Sequence, residues 1–321
     1  MPRLRDNPDD FLALIARTSE ARGLPSAFVE KDFWVTELLR AVVGSARREE
    51  ATAVFKGGTS LSKAYGIIER FSEDVDILLL PPNGLGAGAR HSVLKRICEG
   101  AAEHLGVGPE GVTVKESETG VKRNIRIPYK RQFELGPLSE GVLLEMGIRG
   151  GAEPRRAMEI RSLIAEEGPR IGLGEGEFDE LEAVTVDVLA SERTLVEKLS
   201  LLHGLASLYP ETKASAALER SGRHFYDVHQ LLGHAPTREA CEVVGTAEAL
   251  AVDIGAQSVA HGWAYTPRPR GGFAASPAFD AGWAGAAISQ RGYEIACELV
   301  YGAQPTFAEC LARVHEFEAI L

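Results

Sequence analysis

The sequence predicts an α+β protein, a small mixed sheet carrying helices followed by a helical half. Three observations predict it. Short strand-like runs alternate with helical periodicity through the first 160 residues or so. A Gly- and acid-rich stretch, EEGPRIGLGEGEFDELE (166–182), then interrupts the pattern. After residue 190 the chain turns helical, with apolar spacing of helical period through most of 191–232 and again near the C-terminal end. The expected division is 1–189, an α/β domain with N-terminal helices, and 190–321, a helical domain.

Residues 8–22 and 26–43 read as helices. The second follows Pro25, with Ser26 as its N-cap. Residues 53–56 form a short strand that runs into Gly57-Gly58. Thr59 or Ser60 is expected to cap the next helix, on which Leu61, Ala64, Tyr65 and Ile68 share one face. Residues 74–80 (DVDILLL) read as a strand ended by Pro81-Pro82-Asn83-Gly84. A helix at 90–105 precedes strands at 123–129 and 141–148, for a sheet of roughly four or five strands. Residues 166–182 are expected to be a linker or surface loop, and 184–189 one more strand. Helices follow at 191–208, 212–217 and 224–232. A Pro/Gly-rich loop at 266–277 leads to helices at 289–300 and 306–320.

Composition sets the outer limits. The net charge of -11 argues against a nonspecific nucleic-acid binder. It leaves room for a local basic track, and Lys115, Lys122, Arg123, Arg126, Lys130 and Arg131 form one against Glu116 and Glu118. The bland reading of that cluster is a solvated strand edge. No apolar run reaches membrane-span length and the opening MPRLRDNPDD is not a signal peptide, so a cytoplasmic protein is expected. Cys98, Cys241, Cys297 and Cys310 lack metal-ligand spacing and read as reduced thiols.

The chemistry concentrates in FKGGTSLSKAYGIIERFSEDVDILLL, residues 55–80. On a strand, Asp74 and Asp76 share one face while Val75, Ile77 and Leu79 take the other. Two carboxylates on one face repel unless a cation lies between them. Mg²⁺ suits such a pair, because it takes one or two carboxylates plus water and substrate phosphates. An isolated pair of this kind is most often a solvated strand end. This one follows Gly57-Gly58, where bare backbone lets N–H groups approach a phosphate, and Thr59 and Ser60 add hydroxyls. Lys56 to Ser60 are therefore the candidate nucleotide-binding stretch.

Glu145, inside the apolar run GVLLEMGI, is the candidate third carboxylate of a two-metal arrangement. Its bland alternative is a sheet-face glutamate paired with an arginine. In SERTLVEKLSLLHGL, Leu195, Leu199 and Leu202 form the buried stripe and Lys198 lies at its margin, positioned to reach a cleft or to snorkel. In RSGRHFYDVHQLL, Asp227 either orients Lys198, contacts the nucleotide, or makes a local pair with an Arg or His. His203, His229 and His234 have no acid at catalytic spacing. Ser72 reads as a cap at the start of the strand.

Taken together, these segments resemble the AbiEii-like nucleotidyltransferase toxins of abortive-infection toxin–antitoxin pairs. VEKDFWVTELL (29–39), FKGGTSLSKAYG…RFSEDVDILL, LLEMGI, TLVEKLSLLHG…RHFYDVHQLL and YEIACELVYGAQPTFAECL (293–311) carry the resemblance. It implies a DNA polymerase β-like nucleotidyltransferase core with a helical C-terminal domain. It implies transfer of NMP from an NTP with Mg²⁺ or Mn²⁺, and a cognate antitoxin as partner. The implied acceptor is the 3′ end of tRNA, with a small molecule or a protein as alternatives; a non-catalytic NTP-binding regulator is the reading from another class. Asp74, Asp76 and Glu145 match its metal positions, Gly58 and Thr59 its phosphate turn, and Lys198 and Asp227 its later motifs. The chain departs from the commoner form through IIE (67–69), which lengthens the stretch between GGT and the first acid.

Overall fold

The computed structural model describes residues 2–72, 74–136, 138–173 and 176–321. It divides into two compact units. The first comprises Met1–Ala64, Phe71–Ile148 and Arg155–Val188; the second comprises Tyr65–Arg70, Arg149–Pro154 and Leu189–Leu321. Residues 65–70 and 149–154, inside the first expected domain, thus group with the helical unit.

The first unit runs α1 (Pro8–Arg22), α2 (Ser26–Arg48), β1 (Thr52–Lys56), α3 (Gly57–Lys63), β2 (Asp74–Leu80) and α4 (Ala87–His104). It continues with β3 (Thr113–Glu118), β4 (Lys122–Ile127), β5 (Val142–Gly147), β6 (Arg155–Ile160), α5 (Leu163–Ile171) and β7 (Val184–Leu189). Among the described residues the sheet has seven strands in the order β3-β4-β5-β2-β1-β7-β6. β2 is antiparallel to β1 and parallel to β5, so the strand bearing both aspartates lies in the interior of the sheet. Its apolar side, Val75, Ile77 and Leu79, is buried with Phe55, Leu144, Ile125 and Ile127 of its neighbours. α4 covers that side: Arg123, on the same face of β4 as Ile125, reaches Cys98 of α4.

α2 carries an unusual load of buried charge, and each charge has a partner within the unit. Glu30 accepts the Gln132 and Phe133 amides at 2.8 and 3.3 Å, and Lys31 Nζ donates to the Ser139 carbonyl at 2.6 Å. Asp32 pairs with Lys63 of α3 and accepts the Leu163 amide at 2.7 Å. Glu37 is bound by Arg5, Arg40 and His104. A buried carboxylate left without such donors would cost several kcal/mol, roughly 3–5 when one partner is removed. These residues therefore fix α3, α5, residues 132–133 and Ser139 against α2.

The second unit contains α6 (Ser191–Thr212), α7 (Ser215–Arg220), α8 (Arg223–Gly233), α9 (Ala235–Glu242), α10 (Thr246–Ala260), α11 (Ala286–Ala296) and α12 (Phe307–Glu316). α6 packs on α8, α9 and α10, and α8 packs on α11 and α12. Thr306 and Glu309 form a reciprocal capping box at the start of α12. α7 and α11 meet at two glycines: a Cβ on Gly222 or Gly292 would collide with backbone of the opposite segment.

The structure corrects several expectations. Among the described residues the sheet has seven strands, because β3 and β6 occupy its two edges. β3 is exposed at every position and so lacks the alternation that marks a half-buried strand. Ser26 is the first residue of α2 and makes no capping bond, and α3 begins at Gly57, ahead of Thr59 and Ser60. The stripe Leu61, Ala64, Tyr65 and Ile68 is not one helix, since α3 ends at Lys63 and Gly66 takes φ +62. The stretch through Ile67, Ile68 and Glu69 is neither helix nor strand and leads into a bridge between Arg70 and Val300. Residues 166–182 are only partly loop, because Ser162 caps α5 and the helix continues to Ile171. Gly174 and Glu175, within that stretch, lie outside the described residues. α9 and α10 fall in a region where no helix is expected from the sequence.

Candidate active site

In the first unit the register of the sheet assembles the acids. Asp76 lies opposite Lys56 of β1 on one side and Glu145 of β5 on the other, and Asn124 of β4 lies beyond Glu145. Asp74 lies opposite Leu143, with Arg126 of β4 next in that row. Side chains in one cross-strand row share a face. Lys56, Asp74, Asp76, Glu145, Asn124 and Arg126 therefore stand on one face, opposite the apolar side. All six are half-buried.

The Gly57-Gly58 turn is pressed against this row. Gly57 takes φ +78, and a Cβ there would overlap the Asp76 carboxylate. Only glycine satisfies both the left-handed backbone and the close approach. The turn presents backbone to the second aspartate at close range. α3 has seven residues, so the local N–H groups of the turn matter more than any helix dipole. Thr59 and Ser60 are buried, and their hydroxyls serve the backbone: Thr59 Oγ1 donates to the Asp74 carbonyl and Ser60 Oγ to the Gly57 carbonyl at 2.9 Å. The first bond ties α3 to the start of β2. Among the described residues no three His, Cys, Asp or Glu side chains already converge as a cation site. In donor chemistry and register, Asp74, Asp76 and Glu145 nonetheless fit a hard divalent cation: parallel neighbours such as Asp76 and Glu145 are ~4.8 Å apart between strands.

The second unit holds a separate charged cluster. Asp227 of α8 is fully buried and accepts a fork from Arg70, with Nε to Oδ1 at 2.8 Å and Nη2 to Oδ2 at 2.9 Å. Lys198 Nζ of α6 donates to the same Oδ2 at 2.8 Å and lies 3.2 Å from His224 Nδ1. Burial favours the neutral acid, but Arg70 and Lys198 outweigh it and hold the Asp227 carboxyl well below the usual carboxylate range. Lys198 is lowered too, chiefly by burial; Asp227 restores part of the loss and the Arg70 charge opposes it. His224 is pushed down to about 4, first by burial and then by the Lys198 charge, so its ring is neutral at pH 7. Of the roles open to Asp227 from the sequence, the pairing with Lys198 occurs, and the local partner is His224 at 3.7 Å; the arginine on Asp227, Arg70, is not a local one.

The sequence does not single out Arg70; His224, three residues before Asp227, is the histidine of the local pair it offers. RFSED offered an arginine next to the acids, but its partner is 157 residues away. His203 bonds Ser276 Oγ at 2.9 Å and the Pro267 carbonyl at 3.1 Å, and His234 bonds Thr237 at 2.8 Å. Cys98, Cys241, Cys297 and Cys310 are free thiols.

The family model described as nucleotidyl transferase AbiEii toxin, type IV toxin–antitoxin system, matches residues 38–313. The chain belongs to the AbiEii family. It is a nucleotidyltransferase, its substrate is an NTP, and its class is the toxin of a type IV toxin–antitoxin system. The matched range takes in the Gly57-Gly58 turn, Asp74, Asp76, Glu145, Lys198 and Asp227. Among solved structures, MenT4, a nucleotidyltransferase toxin from Mycobacterium tuberculosis H37Rv, is similar at 20% identity. The match covers 96% of this chain and 97% of that one, with a TM-score of 0.46. No curated protein sequence matches the chain. No helix among the described residues is long and apolar enough to cross a membrane.

Proposed function

We propose that the face bearing Asp74, Asp76 and Glu145 transfers a nucleoside monophosphate from an NTP to the 3′ end of tRNA. The observation that supports this most is the packing of the Asp76 carboxylate against Gly57. It brings bare glycine backbone beside a carboxylate whose strand neighbour is Glu145.

In this reading Asp74, Asp76 and Glu145 hold Mg²⁺, which when bound offsets charge on the triphosphate and lowers the pKa of an acceptor hydroxyl. The remaining work falls to the chain itself. Gly57 and Gly58 offer backbone N–H groups to the outer phosphates, and Lys56, opposite Asp76, adds a positive charge on the same face. Glu145 accepts the proton of the attacking hydroxyl. The oxygen of that hydroxyl forms a bond to the α-phosphorus as the bond to pyrophosphate breaks. Thr59 acts through the backbone by holding α3 on the strand that carries the acids. Lys122 and Arg126 share the acids' face two strands away and are suited to the phosphates of an acceptor RNA. For Lys198 we propose a role through Asp227, as part of the buried cluster that fixes α6 to α8.

The test is incubation with each labelled NTP, Mg²⁺ and total tRNA, followed by a denaturing gel and sequencing of the 3′ ends. Label joined to tRNA 3′ ends is the expected result. Label found only in small molecules or protein would overturn the choice of acceptor while leaving the transferase assignment standing.

A further inference from the structure

On the acids' face, β4 presents Lys122, Asn124 and Arg126 in turn, an amide between two cations. Asn124 stands directly opposite Glu145, and Glu116 of β3 stands opposite Asn124. Of Lys56, Asp76, Glu145, Asn124 and Glu116, in one row across the sheet, only Asn124 is uncharged. Its amide has a set orientation, because Oδ1 accepts the Met146 amide at 3.3 Å. Nδ2 carries a pair of hydrogens and donates to Glu116 at 3.4 Å, a long bond to an exposed side chain. Lys122 Nζ holds that carboxylate more closely, at 2.5 Å. Among the described residues Nδ2 makes no other hydrogen bond.

In-line geometry decides which side of the face the acceptor takes. In phosphoryl transfer the attacking and leaving oxygens lie roughly in line through the phosphorus. With Gly57 and Lys56 on the outer phosphates, pyrophosphate departs on the β1 side of the acids. The attacking hydroxyl then arrives from the opposite side, over β5 and β4. Glu145 lies on β5 to accept its proton, and Asn124 lies one strand farther out, ~4.8 Å away.

We infer that Asn124 determines specificity for the acceptor: its Nδ2 donates to the 2′-hydroxyl of the terminal ribose whose 3′-hydroxyl attacks. The inference rests on the proposed transfer to an RNA 3′ end. The two hydroxyls are vicinal, so a 3′-hydroxyl at Glu145 carries its neighbour towards β4. A sugar hydroxyl is neutral and pairs well with an amide, whereas the flanking Lys122 and Arg126 suit phosphates. The 2′-hydroxyl is the group by which a protein tells RNA from DNA at a given position. Asn124 therefore makes the site accept ribose ends and discriminate against deoxyribose ends.

Steady-state labelling of two otherwise identical tRNA acceptors by the full chain tests this, one ending in ribose and one in 2′-deoxyribose. The wild type is expected to favour the ribose end about tenfold in kcat/KM, the worth of one hydrogen bond. Asn124→Ala and Asn124→Val are expected to use the two ends within about twofold of each other. The ratio is taken on one preparation, so it does not depend on the folded fraction, and valine suits a strand where alanine weakens it. A wild type without the preference, or a folded variant that keeps it, overturns the inference while transfer to RNA stands. Transfer to neither acceptor overturns the proposed acceptor and this inference with it.

Discussion

Removing the charge of Asp227 should cost the helical unit more than removing either of its cationic partners. The carboxylate is fully buried and holds Arg70 and Lys198 at 2.8–2.9 Å. Asp227→Asn leaves two cations buried without a counter-charge, a loss of about 3–5 kcal/mol. Arg70→Met removes the fork but leaves the Lys198 pair, for about 2–3 kcal/mol. Lys198→Met leaves the Arg70 fork intact and removes a lysine that burial already disfavours, so its cost should fall within about 1 kcal/mol. Urea unfolding followed by the fluorescence of Trp263 and Trp283, both in this unit, ranks the three. The expected order is Asp227→Asn, then Arg70→Met, then Lys198→Met. A Lys198→Met variant as unstable as Asp227→Asn would refute the view that Arg70 is the main partner. If Lys198→Met is stable yet inactive, the lysine contributes to transfer by more than fold alone.

Gly57→Ala should cut transfer at least about 100-fold, because the methyl group displaces the Asp76 carboxylate; steady-state kinetics beside circular dichroism separates this from unfolding. His224 gives a pH signature. Its folded pKa of about 4 lies below the ordinary histidine value, so the unfolded chain takes up the proton first. Stability should be full above about pH 6.5 and fall by on the order of 3 kcal/mol towards pH 4, and His224→Gln should flatten that slope in urea titrations. Lys122→Glu with Arg126→Glu should weaken tRNA labelling at least tenfold and reduce its salt dependence, while basal pyrophosphate release is retained. Equal loss of both activities would place those residues in the fold rather than at an acceptor surface.

What the sequence revealed follows from the range of the interactions. Asp74 and Asp76 were legible because period two and a following apolar run specify a strand and its faces. Glu145 was legible as an acid in an apolar strand, although its register opposite Asp76 was not. The hydroxyls of Thr59 and Ser60 were harder to read. A GGTS turn resembles a cradle of donors, but burial commits both hydroxyls to backbone carbonyls. IIE leaves a longer helix and a longer loop open, because Ile68 continues the apolar stripe, and the loop is what forms. Gly66, at φ +62, excludes the helix, and the Glu69 carbonyl accepts the Tyr301 and Gly302 amides of the helical unit. Arg70 was missed because its partner is distant in sequence. The edge strands were missed because charged, exposed positions carry no period. Pairing alone makes β3 a strand.

The central claim is that the row Asp76–Glu145, beside the Gly57 turn, carries NTP-dependent transfer. Its most direct measurement is pyrophosphate release from labelled NTP, with and without Mg²⁺, by the wild type and by folded Asp76→Asn. The account predicts metal-dependent release by the wild type and a loss of at least about 100-fold in the variant, with an unchanged circular dichroism spectrum. An Asp76→Asn variant that retains full transfer would contradict it.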